Sequence, residues 1–206
     1  HDVSEGVNPH PYDARAVIGD GSHLSYPGAL PNWFELDLGQ VRSIKSIEID
    51  RRYSDKGPDD YDISFGTEPG EWHTTIEVRD VGPMEGKYWF RILDERIEAR
   101  YVRMEVTELH NYEWTVLNRF SLYGTSRIPR LMEQNSERYA WLSERLGRLM
   151  RETAEVVTPV PQRLYAATAA AAEYAVLLEE DREISAGQWH QMNDRFPDLQ
   201  EAAYEA

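Results

Sequence analysis

From Trp33 to Asp50 the chain reads WFELDLGQVRSIKSIEID, two period-two alternations separated by a Gly-Gln pair. Successive side chains of a strand point to opposite faces. Phe34, Leu36 and Leu38 therefore share one face, and Ile47 and Ile49 share one in the next run. A one-residue slip would turn each set into water, so the pattern specifies strand pairing strongly. Strands are expected at 33–38 and 43–50, with further runs at 60–65, 73–79, 87–92, 100–107 and 117–123. Each is short and bounded by turn chemistry such as EPGEW and VGPMEG. Together they predict an all-β, jelly-roll-type antiparallel sandwich.

Near residue 127 the period changes. Leu131, Tyr139, Leu142, Leu146, Leu149 and Met150 recur at helical spacing, which predicts a long amphipathic helix over about 130–156. Thr158-Pro159-Val160-Pro161 must end it, because proline removes a donor and clashes with the preceding turn. A second helix is expected at about 162–182, with AATAAAAEYAVLL as a close-packing face. Ser185 is placed to cap a short third helix at 185–195 carrying Trp189 and Met192, and Phe196-Pro197-Asp198 restarts a last turn. The expected organisation is a sandwich over 1–127 followed by an α-helical C-terminal region over 128–206.

A net charge of −15 repels phosphates, which argues against nucleic acid and against docking on an anionic membrane. Only Lys45, Lys56 and Lys87 are lysines, so the basic residues are nearly all arginine, as in GC-rich genomes or salt-adapted proteins. The chain has no cysteine, which excludes disulfides and thiolate metal sites. No apolar run approaches the ~20 residues of a membrane span. Beginning at His1 without a basic-then-apolar leader, the chain is expected to carry no targeting segment. No Gly-x-Ser-x-Gly elbow, phosphate-cradling glycine loop or His-Glu-x-x-His is present, so no enzyme activity is expected.

The ordered blocks WFELDLG, IKSIEIDRRY, YDISFGTEPGEW, ARYVRMEV and LNRFSLYG resemble the discoidin domain, also called coagulation-factor type C, over about residues 10–125. The resemblance implies the galactose-binding-like β-sandwich fold found in many bacterial carbohydrate-binding modules. It also implies a recognition module whose loops at one end hold a sugar, lipid head group or protein. The family often carries a structural calcium in its first long loop, here AVIGDGSHLSYPG, which makes Asp20 and Ser22 the candidate metal ligands. Ile18 stands where the family often has its first Asp, and Arg119 where it often has an acid before the last strand. Both departures weaken a site that needs several oxygen ligands. No other cofactor is expected.

The loops expected to recognise a ligand are about 20–32, 51–59, 82–88 and 108–115. Sugar binding needs a flat aromatic face for ring C–H groups and planar polar groups for hydroxyls. His23 and Tyr26 in the first loop, and Arg51, Arg52 and Tyr53 at the end of the second strand, meet that need. His110, Asn111 and Tyr112 form a second wall. One of the two arginines should face outward, since neighbours alternate; its bland alternative is surface pairing with Asp50, Asp55 or Asp59. Trp33, Trp72 and Trp114 are expected in the core, and Trp89 is open to either face. The helices are expected to join the module to protein partners, as an oligomer or part of a larger assembly. The expected function is glycan binding on an extracellular, cell-surface or virion-exposed assembly. The alternatives are a structural spike, decoration or tail component with protein contacts only, or an accessory domain of a glycan-active enzyme.

Overall fold

Strand pairing follows the alternation but merges segments that the sequence separates. In the computed structural model, residues 24–27, 30–51, 57–82, 88–110, 114–156 and 159–205 are described. Strands β1 (Leu24–Pro27), β2 (Asn32–Arg51), β3 (Gly57–Gly66), β4 (Thr74–Val78), β5 (Tyr88–His110) and β6 (Trp114–Tyr123) precede helices α1 (Pro129–Val156), α2 (Gln162–Glu179) and α3 (Ala186–Glu205). The chain divides into two compact units, residues 1–125 and 126–206.

The strands form one antiparallel sheet of order β1-β6-β2-β5-β3-β4. The runs expected at 33–38 and 43–50 are a single strand, and so are those at 87–92 and 100–107. Gly-Gln is therefore no hairpin. Residues 38–41 of β2 bulge opposite Arg100 alone, and residues 93–96 of β5 bulge opposite Lys45 alone. Gly39 makes the first excursion possible with φ +79°, a conformation a Cβ disfavours, and its N–H donates to Asp37 Oδ1 at 2.8 Å.

Between its bulges the sheet folds over. Residues 32–37 and 101–106 pair with each other and lead into β3 and β4, whereas residues 42–51 and 88–99 pair with each other and lead into β6 and β1. The inward faces meet in one core: the rings of Phe34 and Phe120 lie edge-on at 5.5 Å, and those of Tyr61 and Trp89 at 5.8 Å. Phe34, Leu36, Ile47 and Ile49 are all buried in it, and Leu38 packs at its margin. Burial pushes the Tyr61 hydroxyl well above its ordinary range.

Two tryptophans depart from expectation. Trp33 lies on the outward face, half-buried beneath the Arg103 guanidinium at 4.1 Å, because its parity is opposite to that of Phe34. Trp72 is likewise only half-buried.

The outward face of β2 is unusual, since Ser46, Glu48 and Asp50 are buried as deeply as the apolar residues between them. Ser46 Oγ donates to the Thr125 carbonyl at 2.6 Å, Tyr123 donates to Glu48 Oε2 at 2.6 Å, and Asn118 Nδ2 to Asp50 Oδ1 at 3.3 Å. Burial and the bond to Glu48 push the Tyr123 hydroxyl up to about 12.

In the helical unit, α1 buries Asn135, Tyr139, Leu142, Leu146 and Leu149 along one seam. Tyr139 meets Tyr174 of α2 at 5.4 Å and Phe196 of α3 at 5.8 Å, and its hydroxyl donates to the Met192 carbonyl at 2.6 Å. Ser185 caps α3 as expected, with Gln188 N–H donating to Ser185 Oγ and Ser185 N–H to Gln188 Oε1. Arg127 Nη2 donates to the Leu178 carbonyl at 2.6 Å, closing the end of α2. One correction concerns α3, which runs through Pro197 to Glu205 instead of ending near 195. Pro197 costs the Asn193 carbonyl its helical donor. Both residues are exposed, so water can serve that carbonyl while Leu199 and Ala203 continue the buried face.

Two measurements follow from these contacts. Arg100 grips Asp37 with Nε–Oδ1 and Nη2–Oδ2 distances of 2.9 Å and holds the carboxyl down to about 2, below its ordinary value of 3.8. A depressed carboxyl contributes stability that is full above its unfolded value and is lost as pH falls through its folded one. Denaturant melts of the wild type should therefore lose more stability between pH 5 and about 2 than melts of Asp37→Asn. Parallel pH curves would contradict the contribution. Tyr139→Phe should lower the stability of the helical unit by about 1–2 kcal/mol in thermal unfolding, since a buried carbonyl loses its donor.

Candidate functional site

One end of the sandwich gathers the strand termini that the expected recognition loops connect. Arg51 ends β2, Gly57 begins β3, Tyr88 begins β5, His110 ends it and Trp114 begins β6. The pairings Gly57–His110, Asp50–Tyr88, Arg51–Leu117 and Pro27–Trp114 bring these termini to a common rim. Antiparallel order makes this unavoidable: each strand must start where its neighbour stops.

Side chains brace the rim from within. Asp59 Oδ1 accepts the Gly82 N–H at 2.5 Å, and Asp60 Oδ1 accepts the Asp80 N–H at 2.8 Å. The β4 exit is thereby tied to the β3 entrance. Gly82 adopts φ +60°, in the left-handed region where glycine is favoured. Thr107 Oγ1 donates to the Asp60 carbonyl at 3.2 Å. His110 Nδ1 sits 3.8 Å from Asp59 Oδ2, an electrostatic contact longer than a hydrogen bond. Both side chains keep some exposure, 24% for His110 and 15% for Asp59.

Arg51 corrects the expectation of a ligand-facing residue. It is 1% exposed, with Nη1 donating to the carbonyls of Pro58 at 3.5 Å and Gly82 at 3.3 Å, and Nη2 to Gly82 at 3.4 Å. Its parity with Ile47 and Ile49 turns it inward, where it clamps two loops that contribute to the rim. His110 ends β5 at the rim. Tyr26 lies in β1 opposite Thr115. Asp20, Ser22, His23, Arg52, Tyr53, Asn111 and Tyr112 lie outside the described residues, as does the Trp114 side chain. Sequence reasoning treated Asp59 only as a surface partner for arginine and missed Gly82 and Asp60. The available signal was GPDD, a turn-forming stretch rich in side chains that accept backbone N–H groups.

Among the described residues no three of His, Asp or Glu gather as a metal site. Arg119 is exposed and pairs with Asp50 in the ladder. The rim is suited to hydrogen bonding, with an imidazole, a carboxylate and backbone groups held by buried bonds. Arg51→Ala should destabilise the sandwich by about 2–4 kcal/mol in denaturant unfolding, because it opens a cavity and strips donors from buried carbonyls. A change below about 0.5 kcal/mol, the scale of a surface substitution, would rule out the clamp.

No curated protein sequence matches the chain. Solved structures similar to it include chitosan-binding module 1 of a chitosanase/glucanase from Paenibacillus sp. IK-5, at 16% identity and TM-score 0.47, covering 57% of this chain and 89% of that one. Module 2 of the same enzyme, in complex with chitotriose, is 18% identical with TM-score 0.47, covering 57% and 91%. CBM32-1 from a family 31 glycoside hydrolase of Clostridium perfringens is 18% identical with TM-score 0.47, covering 56% and 87%. Residues 4–122 match the family model of the F5/8 type C domain. That match takes in more than half of the chain and coincides with the folded-over sheet and its rim, so the chain belongs to the F5/8 type C (discoidin) domain family.

Proposed function

We propose that the sandwich is a non-catalytic recognition module for carbohydrate, with the β2–β3, β4–β5, β5–β6 and first-loop segments as its binding surface. The observation that carries this reading is the convergence of those loop ends on one braced rim, with His110 and Asp59 partly exposed there. Loops displayed at one end of a rigid scaffold are where binding residues concentrate. Modules of known structure with a similar fold, such as the chitotriose-bound one, support the substrate class. In this reading Arg52, Tyr53, Asn111 and Tyr112 supply the planar polar and aromatic contacts, with His23 from the first loop and Tyr26 from β1.

The reading requires no cofactor. Asp20 and Ser22 serve at most a structural calcium. The module works outside the cell, on a cell surface or a particle such as a virion, and the helical unit attaches it to protein partners. Large exposed side chains on the helices, Trp141, Tyr165, Val176 and Tyr204, favour such attachment. No helix among the described residues is long and apolar enough to cross a membrane.

A glycan array probed with the full chain tests the reading. Binding to at least one glycan family is expected, weakened about tenfold or more by Arg52→Ala or Tyr112→Ala, as hydrogen-bonding or stacking contacts worth about 1.4 kcal/mol are removed. EDTA should leave binding unchanged. Silence across the array favours the structural-protein alternative. Binding indifferent to both substitutions moves the site to another surface.

A further inference from the structure

The helical unit has a cavity of its own between α1 and α3. Trp141, Glu144, Arg145, Arg148 and Tyr204 line about 360 Å³, at the lower end of the ~300–1,000 Å³ range of ligand pockets. Trp141, Arg145 and Arg148 share one face of α1, because they follow at steps of four and three. Behind that face the packing is closed, with Leu142, Leu146 and Ala203 fully buried. Trp141 and Tyr204 nevertheless stay 43% and 67% exposed. Their rings meet at 5.8 Å with 43° between planes, forming one bent apolar platform.

Polar side chains hold this platform in place. Ala203 lies in the last turn of α3, where carbonyls lack an intrahelical donor. Arg145 Nε donates to that carbonyl at 3.3 Å, which ties α1 to the turn carrying Tyr204. Arg148 Nη2 donates to Glu144 Oε1 at 2.8 Å across one helical turn. Two guanidinium forks and one carboxylate thus surround two exposed rings.

We infer that this cavity is a second sugar site, which takes an uncharged pyranose on the Trp141–Tyr204 platform. The angled rings offer two aromatic faces to the C–H groups of a puckered ring, and the few polar groups beside them fix its orientation. Sugar hydroxyls both donate and accept, so they use the arginines and Glu144 together. A carboxylate or phosphate ligand would gain the arginines but face Glu144 and a chain of net charge −15. An ammonium ligand would face both arginines.

The cavity suits a protein partner less well. A protein interface keeps its centre poor in charge. Here Glu137, Arg138, Glu144 and Glu201 lie within one helical turn of the two rings, and all four are exposed. The apolar area is therefore two rings wide, enough for a sugar unit and too small for an interface core. Trp141 and Tyr204 then serve a ligand, while Tyr165 and Val176 of α2 remain for attachment. The site does not depend on the loops at the sandwich rim.

A glycan array carrying neutral, uronate-bearing and sialylated glycans, probed with the full chain, separates the two sites. Some neutral glycans should bind about tenfold or more weakly to Trp141→Ala and to Tyr204→Ala, through loss of an aromatic contact. The same glycans should bind Arg52→Ala and Tyr112→Ala as they bind the wild type. Trp141→Phe should recover most of the loss, since it restores an aromatic face. Tyr165→Ala, exposed on α2, should change nothing. Both cavity rings are exposed, so their truncation leaves the Tyr139, Tyr174 and Phe196 centre intact, and thermal unfolding checks this. Titrating such a glycan into the full chain should also shift the indole N–H resonance of Trp141, assigned by comparison with Trp141→Phe.

Glycan binding that survives both alanine variants across the array overturns the proposal and leaves the rim site standing. Loss of all binding in Arg52→Ala or Tyr112→Ala has the same meaning. An indole resonance unmoved at saturating glycan overturns it too. Dependence on Trp141 and Tyr204 that is confined to uronate-bearing or sialylated glycans overturns the uncharged class. A silent array overturns both sites.

Discussion

The sandwich depends on two strands that belong to both of its layers. β2 and β5 run side by side through paired bulges, so one sheet folds over and faces itself. Each four-residue excursion is offset by the other, and the pairing that resumes after both has the register it had before. The Asp37–Arg100 pair and Gly39 sit at the first excursion. Once this fold is made, Phe34 must meet Phe120 and Tyr61 must meet Trp89, because they occupy inward positions of facing layers.

The same topology produces the rim. Strands that alternate in direction bring their connecting loops to two ends, and at one of these the loop flanks are tied together by Asp59, Asp60 and the buried Arg51. A guanidinium buried at that end is costly unless backbone carbonyls receive its protons. Its donors go to Pro58 at the β3 entrance and to Gly82 beyond the β4 exit, so the interaction that makes its burial tolerable also positions both segments. The backbone at this end is thus held by groups that belong to the core.

The helical unit is built on different terms. A ring from each helix meets in its centre, at Tyr139, Tyr174 and Phe196, and the Tyr139 hydroxyl reaches the Met192 carbonyl. Polar capping closes the ends, with Ser185 and Gln188 at the start of α3 and Arg127 at the end of α2. The unusual element is α2, whose composition leaves little polar surface for water. Ala169 and Ala172 look like core residues in the sequence, yet the inner face is already filled by Leu164, Tyr174 and Leu177.

Much of this was legible in residue order. Period-two runs placed Phe34, Leu36, Ile47 and Ile49 inward, the change of period near residue 127 separated strands from helices, and Ser185 announced a cap. These signals are local: a strand or helix face needs only its own neighbours to be read. Other features rest on which segments lie opposite each other, which no local pattern states. Gly39 marks a turn in sequence, but only pairing with Arg100 distinguishes a bulge from a hairpin. Pro197 reads as a helix stop, but its loss is small where water serves Asn193 and packing continues beyond. Arg51 reads as an end-of-strand cation; its burial depends on carbonyls supplied by residues 58 and 82. The sequence by itself therefore determined where strands give way to helices, which residues of the period-two runs face inward, and the family. Tertiary structure alone decided that two strands serve both layers and that Arg51 braces the rim from inside, because both follow from long-range contacts between distant segments.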